Sequence, residues 1–330
     1  MGSDETAEAA EVIDWLLGGD IAVAYLTTRD LLHRDEPSLQ RRIATEGVGA
    51  ALLAARRPDG HWGRGFYQPK WTSSHYTLLE LCNLGLSPDH PAAQESVQLI
   101  LAANKVRDGG VHPNPRGGVS ETCINGMTLH YASYFGAPEA DLVSLVDCLL
   151  ESRVSDGGFN CQHRPPRHPV EHSSMHTTVS VLEGIHSYRS AGYGHRRDEL
   201  GEAADTAVEF LLRHELFKSE RTGEVIRADF TRVHHPPRWH FDILRGLECL
   251  AVMGVPQDPR MVAALDLLRA RRRADGRWTA TVWPGETHVP PDPGREPSRW
   301  ATLRALRVRY RFEMRDDRLP GTLGGVGTSR

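Results

Sequence analysis

The sequence predicts an all-α protein in which six helix pairs close into a double ring, (α/α)6. Three of its Asp-Gly pairs are spaced by 49 and 48 residues, and the fourth follows after 119 residues, a gap that leaves room for one more, degenerate unit. Repeats of about fifty residues suit a helix pair with an elaborated loop. The four pairs are Asp59-Gly60, Asp108-Gly109, Asp156-Gly157 and Asp275-Gly276, and the degenerate unit lies around Thr222-Gly223-Glu224.

Between these loops, apolar residues recur at helical spacing, as in Val179, Val181, Leu182 and Ile185. The helices that start some ten to twenty residues after a loop are predicted to form the inner ring, at about 20–34, 72–84, 121–136, 173–189, 238–254 and 297–310. The alternate helices are predicted to form the outer ring, at about 8–18, 38–55, 90–104, 139–152, 199–215 and 258–272. The helix pairs are expected to close into a ring, because each pair then packs against two neighbours. We expect one domain over residues 1–314 and a disordered tail over 315–330.

Composition excludes several classes of partner. The chain has 39 Lys+Arg against 43 Asp+Glu, a net charge of −4 that gives no reason to expect nucleic acid or an anionic membrane. No apolar run approaches the roughly 20 residues of a membrane span, and the acidic start lacks the features of a secretory signal. The expectation is a soluble, cytoplasmic protein.

The five cysteines are too few, and odd in number, for a disulfide framework in a chain of this size. Cys82, Cys148 and Cys249 lie inside apolar helical patterns and are predicted to be small core residues. Cys123 and Cys161 do not lie in such patterns, which makes them candidates for chemistry.

In a ring of this kind the inner helices run the same way, so their first turns gather at one mouth. Ser and Thr are expected there as helix caps. Histidine, cysteine, arginine and tryptophan are not, and they mark this mouth as the place to seek function. Trp71, His75 and Tyr76 are candidate cavity-lining, substrate-binding residues at the start of one inner helix.

The Asp-Gly-Gly-aromatic and Asp-Gly-x-Trp loops resemble those of the prenyltransferase and squalene-cyclase repeat superfamily over roughly residues 20–310. This resemblance implies an α/α toroid. Triterpene cyclases of the superfamily protonate their substrate with an Asp-x-Asp-Asp motif, and no such string occurs here. A protonating cyclase of that type is therefore disfavoured.

The sequence is also similar to the catalytic subunit of protein prenyltransferases, where Asp-x-Cys on one inner helix and a His-Thr pair on the next bind zinc. Here Glu121-Thr122-Cys123 and His176-Thr177 match those positions. Glu replaces Asp, Ile124 replaces the Tyr after the zinc Cys, and the upstream diphosphate-binding basic residues are reduced to Arg116. The resemblance also implies a separate helical partner subunit.

Zinc prefers thiolate and imidazole ligands, and catalytic sites keep one open position. Cys123, Cys161 and His176 are the predicted metal ligands, with Glu121 as a weak fourth ligand or as an acceptor for His176. The alternative is that the two cysteines fill space and that His176 caps a helix.

Two Arg-Trp pairs open successive inner helices, Arg238-Trp239 and Arg299-Trp300. Each Arg could bind an anionic group of a substrate, or it could form an ion pair with Asp242 or Glu296. His240 is a candidate general base or additional ligand, with Asp242 beside it, and otherwise a hydrogen-bonded core histidine.

Three charged residues lie deeper in the inner helices, Glu183, Arg245 and Arg304, and are predicted to pair as a polar floor. These features predict a zinc-dependent enzyme that activates a thiol or water, or polarises an oxygen, of an apolar, isoprenoid-like substrate. One alternative is a terpene cyclase with an unfamiliar acid. Another is a non-catalytic binding module with a structural zinc.

Overall fold

The computed structural model describes residues 3–114, 116–163, 168–290, 292 and 295–313. Across these ranges the chain forms α-helices and short 3-10 turns, with isolated bridges but no strands. The helices are α1 (Ser3–Leu17), α2 (Ile21–Asp30), α3 (Pro37–Arg42), α4 (Gly47–Ala54), α5 (Ser74–Asn83), α6 (Pro91–Ala103), α7 (Thr122–Tyr134), α8 (Glu139–Glu151), α9 (Met175–Ser190), α10 (Arg197–Arg213), α11 (Ile243–Val252), α12 (Val262–Ala270) and α13 (Arg299–Phe312).

The architecture is the predicted (α/α)6 toroid. Helices α2, α5, α7, α9, α11 and α13 form the inner ring, and α1, α3 with α4, α6, α8, α10 and α12 form the outer ring. The ring closes where α13 packs on α2, and an ion pair between Arg307 and Asp30 joins the two helices there. The predicted tail, 315–330, lies outside the described residues.

The four Asp-Gly loops dock on the inner helices in the same way. Each glycine has positive φ, between 77° and 101°. The third residue after each Asp donates its backbone N–H to a side chain of the following inner helix, at 2.9–3.0 Å. The four joints are Trp62 to Ser74, Val111 to Asn125, Phe159 to Thr178 and Trp278 to Thr302.

The long gap holds the predicted degenerate unit. Lys218 and Val225 form the same isolated antiparallel bridge that Lys105 forms with Val111 and Arg153 with Phe159. The repeat therefore persists where its Asp-Gly sequence is lost.

The predicted outer helix 38–55 is instead two helices, because the chain turns at Gly47 with φ 63°. The carboxylate of Asp20 accepts the N–H groups of Ala22 and Val48, at 2.9 and 2.8 Å. One side chain thus caps both α2 and α4, and a Cβ on Gly47 would collide with it.

The inner helix predicted at 238–254 begins only at Ile243. Arg238 has a left-handed φ of 56°, which lies outside the range of a right-handed α-helix. Asp242 caps α11 by accepting the N–H of Arg245 at 2.8 Å. Arg238, Trp239 and His240 therefore lie in the preceding loop and not in a first helical turn.

None of the helices described here has both the length and the apolar character required to cross a membrane.

Candidate functional site

Glu121, Cys123 and Cys161 form a group, called here the thiol cluster, at the mouth where the inner helices begin. Their potential ligand atoms all lie within 4.8 Å of one another. The backbone N–H of Cys123 donates to the Sγ of Cys161 at 3.1 Å, and the hydroxyl of Thr177 donates to the same sulfur at 3.4 Å. The start of α7 and the loop before α9 thus bring together residues that are 38 positions apart.

The two thiols differ in acidity. Hydrogen bonding from Cys123 lowers the pKa of the Cys161 thiol, although burial acts in the opposite direction. The same contact, followed by burial, raises the pKa of Cys123. Cys161 is therefore the first of the pair to ionise, and its sulfur receives two donors that stabilise a thiolate.

His176 lies outside the thiol cluster. Its Nδ1 accepts the backbone N–H of Phe241 at 2.7 Å, and its ring packs against Trp239 with 5.0 Å between centroids. Burial lowers the pKa of His176 to about 4. The structure therefore groups Glu121, rather than His176, with the two predicted cysteine ligands.

His240 lies in a column of stacked rings. Its centroid is 3.9 Å from that of Trp239 and 3.6 Å from that of Trp283, which stacks on His234 at 4.0 Å. Burial lowers the pKa of His240 to about 3, so the ring is neutral and weakly basic. Sequence reasoning missed Trp283 and His234, which come from loops with no periodic signal.

Both oxygens of the Asp242 carboxylate take part in hydrogen bonds within the protein. One oxygen accepts the backbone N–H of His234 at 2.8 Å and lies 3.0 Å from Nδ1 of the same ring. The other caps α11 through Arg245. With its side chain 2% exposed, Asp242 holds the loop against the helix and is not positioned to meet a substrate.

Lys70 completes the mouth, and sequence reasoning did not single it out. Its ammonium nitrogen lies 5.0 Å from the ring centroids of both Trp71 and Trp239. Trp71 is fixed by donation from Nε1 to the carbonyl of Pro284 at 2.7 Å. The cation is therefore held between two aromatic faces beside the thiol cluster.

A cavity of about 530 Å³ lies inside the inner ring, within the range of small-molecule sites. Its exposed lining residues lie at the C-terminal ends of inner helices or directly after them; they are Arg29, Asn83, Ser190, Ala191 and Val252. Tyr76 and Arg238, at the other end, are buried. The cavity thus opens at the mouth opposite the thiol cluster, and none of the three cluster residues is in its described lining.

The predicted polar floor forms in this cavity, with one change of partner. Arg245 pairs with Glu183 at 2.6 Å as expected, whereas Arg304 pairs with Glu248 at 2.7 Å. The lining contains five arginines and three glutamates. Asp30, which pairs with Arg29 and Arg307, lowers the excess of positive charge to one. The five arginines are Arg29, Arg238, Arg245, Arg304 and Arg307.

An aromatic layer separates the cavity from the thiol cluster. Tyr76 lines the cavity, and its hydroxyl lies 3.0 Å from that of Tyr67. Trp71 meets Tyr76 edge-on with 4.8 Å between centroids. His75 is fully buried behind this layer, with Nδ1 3.3 Å from the Tyr131 hydroxyl, and is absent from the described lining.

The two Arg-Trp pairs have different surroundings. Arg238 lines the cavity and pairs with Glu80 at 2.7 Å, a partner that neither sequence alternative named. Arg299 instead donates to the carbonyl of Trp15 at 3.1 Å, and its guanidinium lies 4.6 Å from the Trp15 ring centroid. Trp300 lines the cavity. Only Arg238 of the two arginines can meet a molecule there.

No family model and no curated protein matches the chain. Among solved structures, a glycosyl hydrolase of family 88 from Bacteroides vulgatus is similar, with a TM-score of 0.52, 11% identity, and coverage of 93% of this chain and 99% of that one. A polysaccharide lyase is similar with a TM-score of 0.49 and 14% identity, and the match covers 93% of this chain and 98% of that one. For the type II terpene cyclase MstE from Scytonema the TM-score is 0.33 and the identity 13%, with coverage of 73% of this chain and 80% of that one. At these identities the likeness extends to the fold alone.

Proposed function

We propose that this protein is a zinc-dependent enzyme whose metal is held by Glu121, Cys123 and Cys161. The observation that carries the proposal is the meeting of three ligand atoms within 4.8 Å. Two sulfur ligands of a tetrahedral zinc lie about 3.8 Å apart, given a Zn–S bond of about 2.3 Å. The atoms of the thiol cluster are close enough to reach this spacing through side-chain movement.

Three protein ligands leave a tetrahedral ion one open position. When bound there, the metal would supply Lewis-acid polarisation of an oxygen, or a thiol or water that is nucleophilic near neutral pH. The chain's own residues orient the reactant. Lys70, between Trp71 and Trp239, presents a positive charge to an anionic or electron-rich group. His240, neutral in its stack, can accept a hydrogen bond there but is too weak a base to take up a proton at pH 7.

The substrate proposed is an apolar, isoprenoid-like molecule with an anionic head group. The isoprenoid class comes from the sequence resemblance. The anionic group is supported by Lys70, whose ammonium group lies between Trp71 and Trp239 beside the thiol cluster. The apolar part is supported by the stacked rings at the same mouth, Trp239 and Trp283 with His240 between them.

A second candidate is a binding module in which zinc only ties the start of α7 to the loop before α9. One observation favours it: the Tyr67–Tyr76 layer lies between the thiol cluster and the cavity. A cyclase that protonates its substrate from the cavity is less well supported, because each lining glutamate, Glu80, Glu183 and Glu248, is paired with an arginine.

Elemental analysis of the purified chain tests the metal. We expect about one zinc per chain, lost in Cys123→Ala and Cys161→Ala and retained in Cys249→Ala, a matched cysteine outside the thiol cluster. A zinc-free parent that does not rebind zinc on titration would refute the proposal.

Cobalt substitution separates the enzyme from the binding module. If the fourth position is open, adding a small thiol or a hydroxamate should change the visible spectrum of the cobalt protein. An unchanged spectrum, with metal still bound, would favour the structural role.

A further inference from the structure

Three side chains on consecutive inner helices meet on the cavity wall: Cys82 of α5, His130 of α7 and Ser187 of α9. The Sγ of Cys82 lies 3.5 Å from Nε2 of His130. Nδ1 of the same ring lies 2.5 Å from the Oγ of Ser187. A thiol, an imidazole and an orienting hydroxyl in this order match the arrangement of an activated nucleophile.

We propose that Cys82 is a nucleophile that forms a thioester with a carboxylate-bearing acyl substrate in the cavity, with His130 as its base and Ser187 as a positioning residue. The proposal does not rest on the proposed function. It involves no metal, because the thiol cluster lies beyond the aromatic layer.

The protonation states suit a base-assisted attack. Burial raises the pKa of the Cys82 thiol, and burial lowers the pKa of His130, so both groups are neutral at pH 7. With the imidazole proton on Nδ1 and donated to Ser187, Nε2 is free to accept the S–H proton. The thiol is then deprotonated as it attacks and needs no thiolate at rest.

The step balances without an oxidant or reductant. For a substrate R–CO–X, the Cys82 sulfur bonds to the carbonyl carbon, and its proton passes to Nε2 of His130. The C–X bond breaks, and the leaving group takes that proton from His130. Water or another acceptor then attacks the thioester, which restores the thiol.

The charge of the cavity selects the acyl group. Charges of both signs act on the Cys82 sulfur: after burial, the Glu183 carboxylate raises the pKa of the thiol and the Arg29 guanidinium lowers it. The lining as a whole keeps one positive charge in excess once Asp30 is counted, which favours a substrate with a second, anionic group.

A second thiol in the same cavity provides an internal comparison. The Sγ of Cys249 contacts the sulfur of Met253 at 3.8 Å and has no imidazole partner in the described contacts. Cavity access alone would make both thiols react, whereas base assistance makes Cys82 react selectively.

Mono-p-nitrophenyl succinate tests the proposal on the full chain. We expect a burst of one nitrophenolate per chain and a succinyl group on the Cys82 peptide, and not on the Cys249 peptide, by mass spectrometry. The neutral p-nitrophenyl butyrate should react about tenfold more slowly, which corresponds to one charge-assisted contact. Equal rates for the two esters, or equal labelling of both cysteines, would overturn the proposal.

Variants assign the roles. Cys82→Ala should abolish the adduct, and His130→Gln should slow acylation by about 10²-fold. Ser187→Ala should also slow it, with rescue by Ser187→Thr, which keeps the hydroxyl. Cys148→Ala, an equally buried cysteine outside the cavity lining, should react like the parent. An unchanged rate in a folded His130→Gln protein would exclude base assistance.

Zinc content and thermal melting are measured on the same samples. Cys82→Ala should keep its zinc, so failure of the acylation test and failure of the metal proposal are distinguishable. If Cys82→Ala does not fold, peptide mapping of the parent still decides the proposal.

Discussion

Gly126 of α7 and Gly184 of α9 face each other at a contact too close for any side chain. A Cβ on Gly184 would lie 2.4 Å from the carbonyl oxygen of Gly126, and a Cβ on Gly126 would lie 2.6 Å from that of Ser180. The first turns of these two helices flank the thiol cluster. Their close approach therefore fixes the distance between Cys123 and the loop that carries Cys161.

We expect Gly126→Ala to destabilise the protein by about 1–3 kcal/mol, because the obstacle is backbone that cannot move aside easily. Urea unfolding would measure this change in the free energy of unfolding. Gly118→Ala is the control, since a Cβ there meets nothing within 4 Å. Equal stability of the two variants would show that α7 and α9 can separate without loss.

Thr178→Val should destabilise the protein by about 1–3 kcal/mol, because it leaves the buried N–H of Phe159 without its acceptor. The effect should resemble that of Thr302→Val, which removes the equivalent joint at Trp278. The exposed Thr45→Val should have little effect. Thermal melting of the three variants measures these effects. Unchanged melting temperatures for both Thr178→Val and Thr302→Val would show that the two hydrogen bonds do not stabilise the fold.

The Arg245–Glu183 pair should make stability depend on pH. After burial, which acts in the opposite direction, the Arg245 charge is the largest influence and holds the pKa of Glu183 below its ordinary 4.5. The ionised carboxylate therefore stabilises the fold above about pH 4.5, and this stabilisation is lost as pH falls through the lower folded-state pKa. Glu183→Gln should be less stable at pH 7 and lose less stability between pH 5 and pH 3. Parallel pH profiles of parent and variant would contradict this assignment.

Arg238→Lys should weaken binding of inorganic pyrophosphate by about tenfold, because lysine keeps the charge but loses the planar fork. Arg299→Lys should bind like the parent, since Arg299 packs on Trp15 outside the described cavity lining. Isothermal titration calorimetry compares the variants. Equal affinities for all three proteins would mean that Arg238 serves only as the partner of Glu80.

Local patterns were sufficient to predict the repeat and its helices. Helix α8, for example, was predicted at 139–152 and observed at Glu139–Glu151, because apolar periodicity and capping act within one helix. The prediction was wrong over 38–55, where Asp20, far along the chain, caps α4 and breaks the helix. It was also wrong at 238, where a left-handed residue delays α11 to Ile243.

The candidate site could be predicted only in part. Residue type and the family resemblance predicted Cys123, Cys161 and His176 as ligands, with Glu121 as a weak fourth. The fold brings Glu121 and the two cysteines together and leaves His176 outside the thiol cluster. No sequence signal singled out Lys70 or Trp283, because their roles depend on which rings the loops place beside them.

The sequence by itself determined an (α/α)6 ring of helices, since a repeated pattern of apolar faces can be buried only against neighbouring repeats. Only the tertiary structure decided which residues face one another across that ring. It placed Cys82, predicted to be core, against His130 in the cavity, and it opened that cavity at the mouth away from the thiol cluster. The reason is physical: periodicity specifies which face of a helix is buried, whereas contacts between inner helices depend on their rotation and separation, which close approaches such as Gly126 to Gly184 fix.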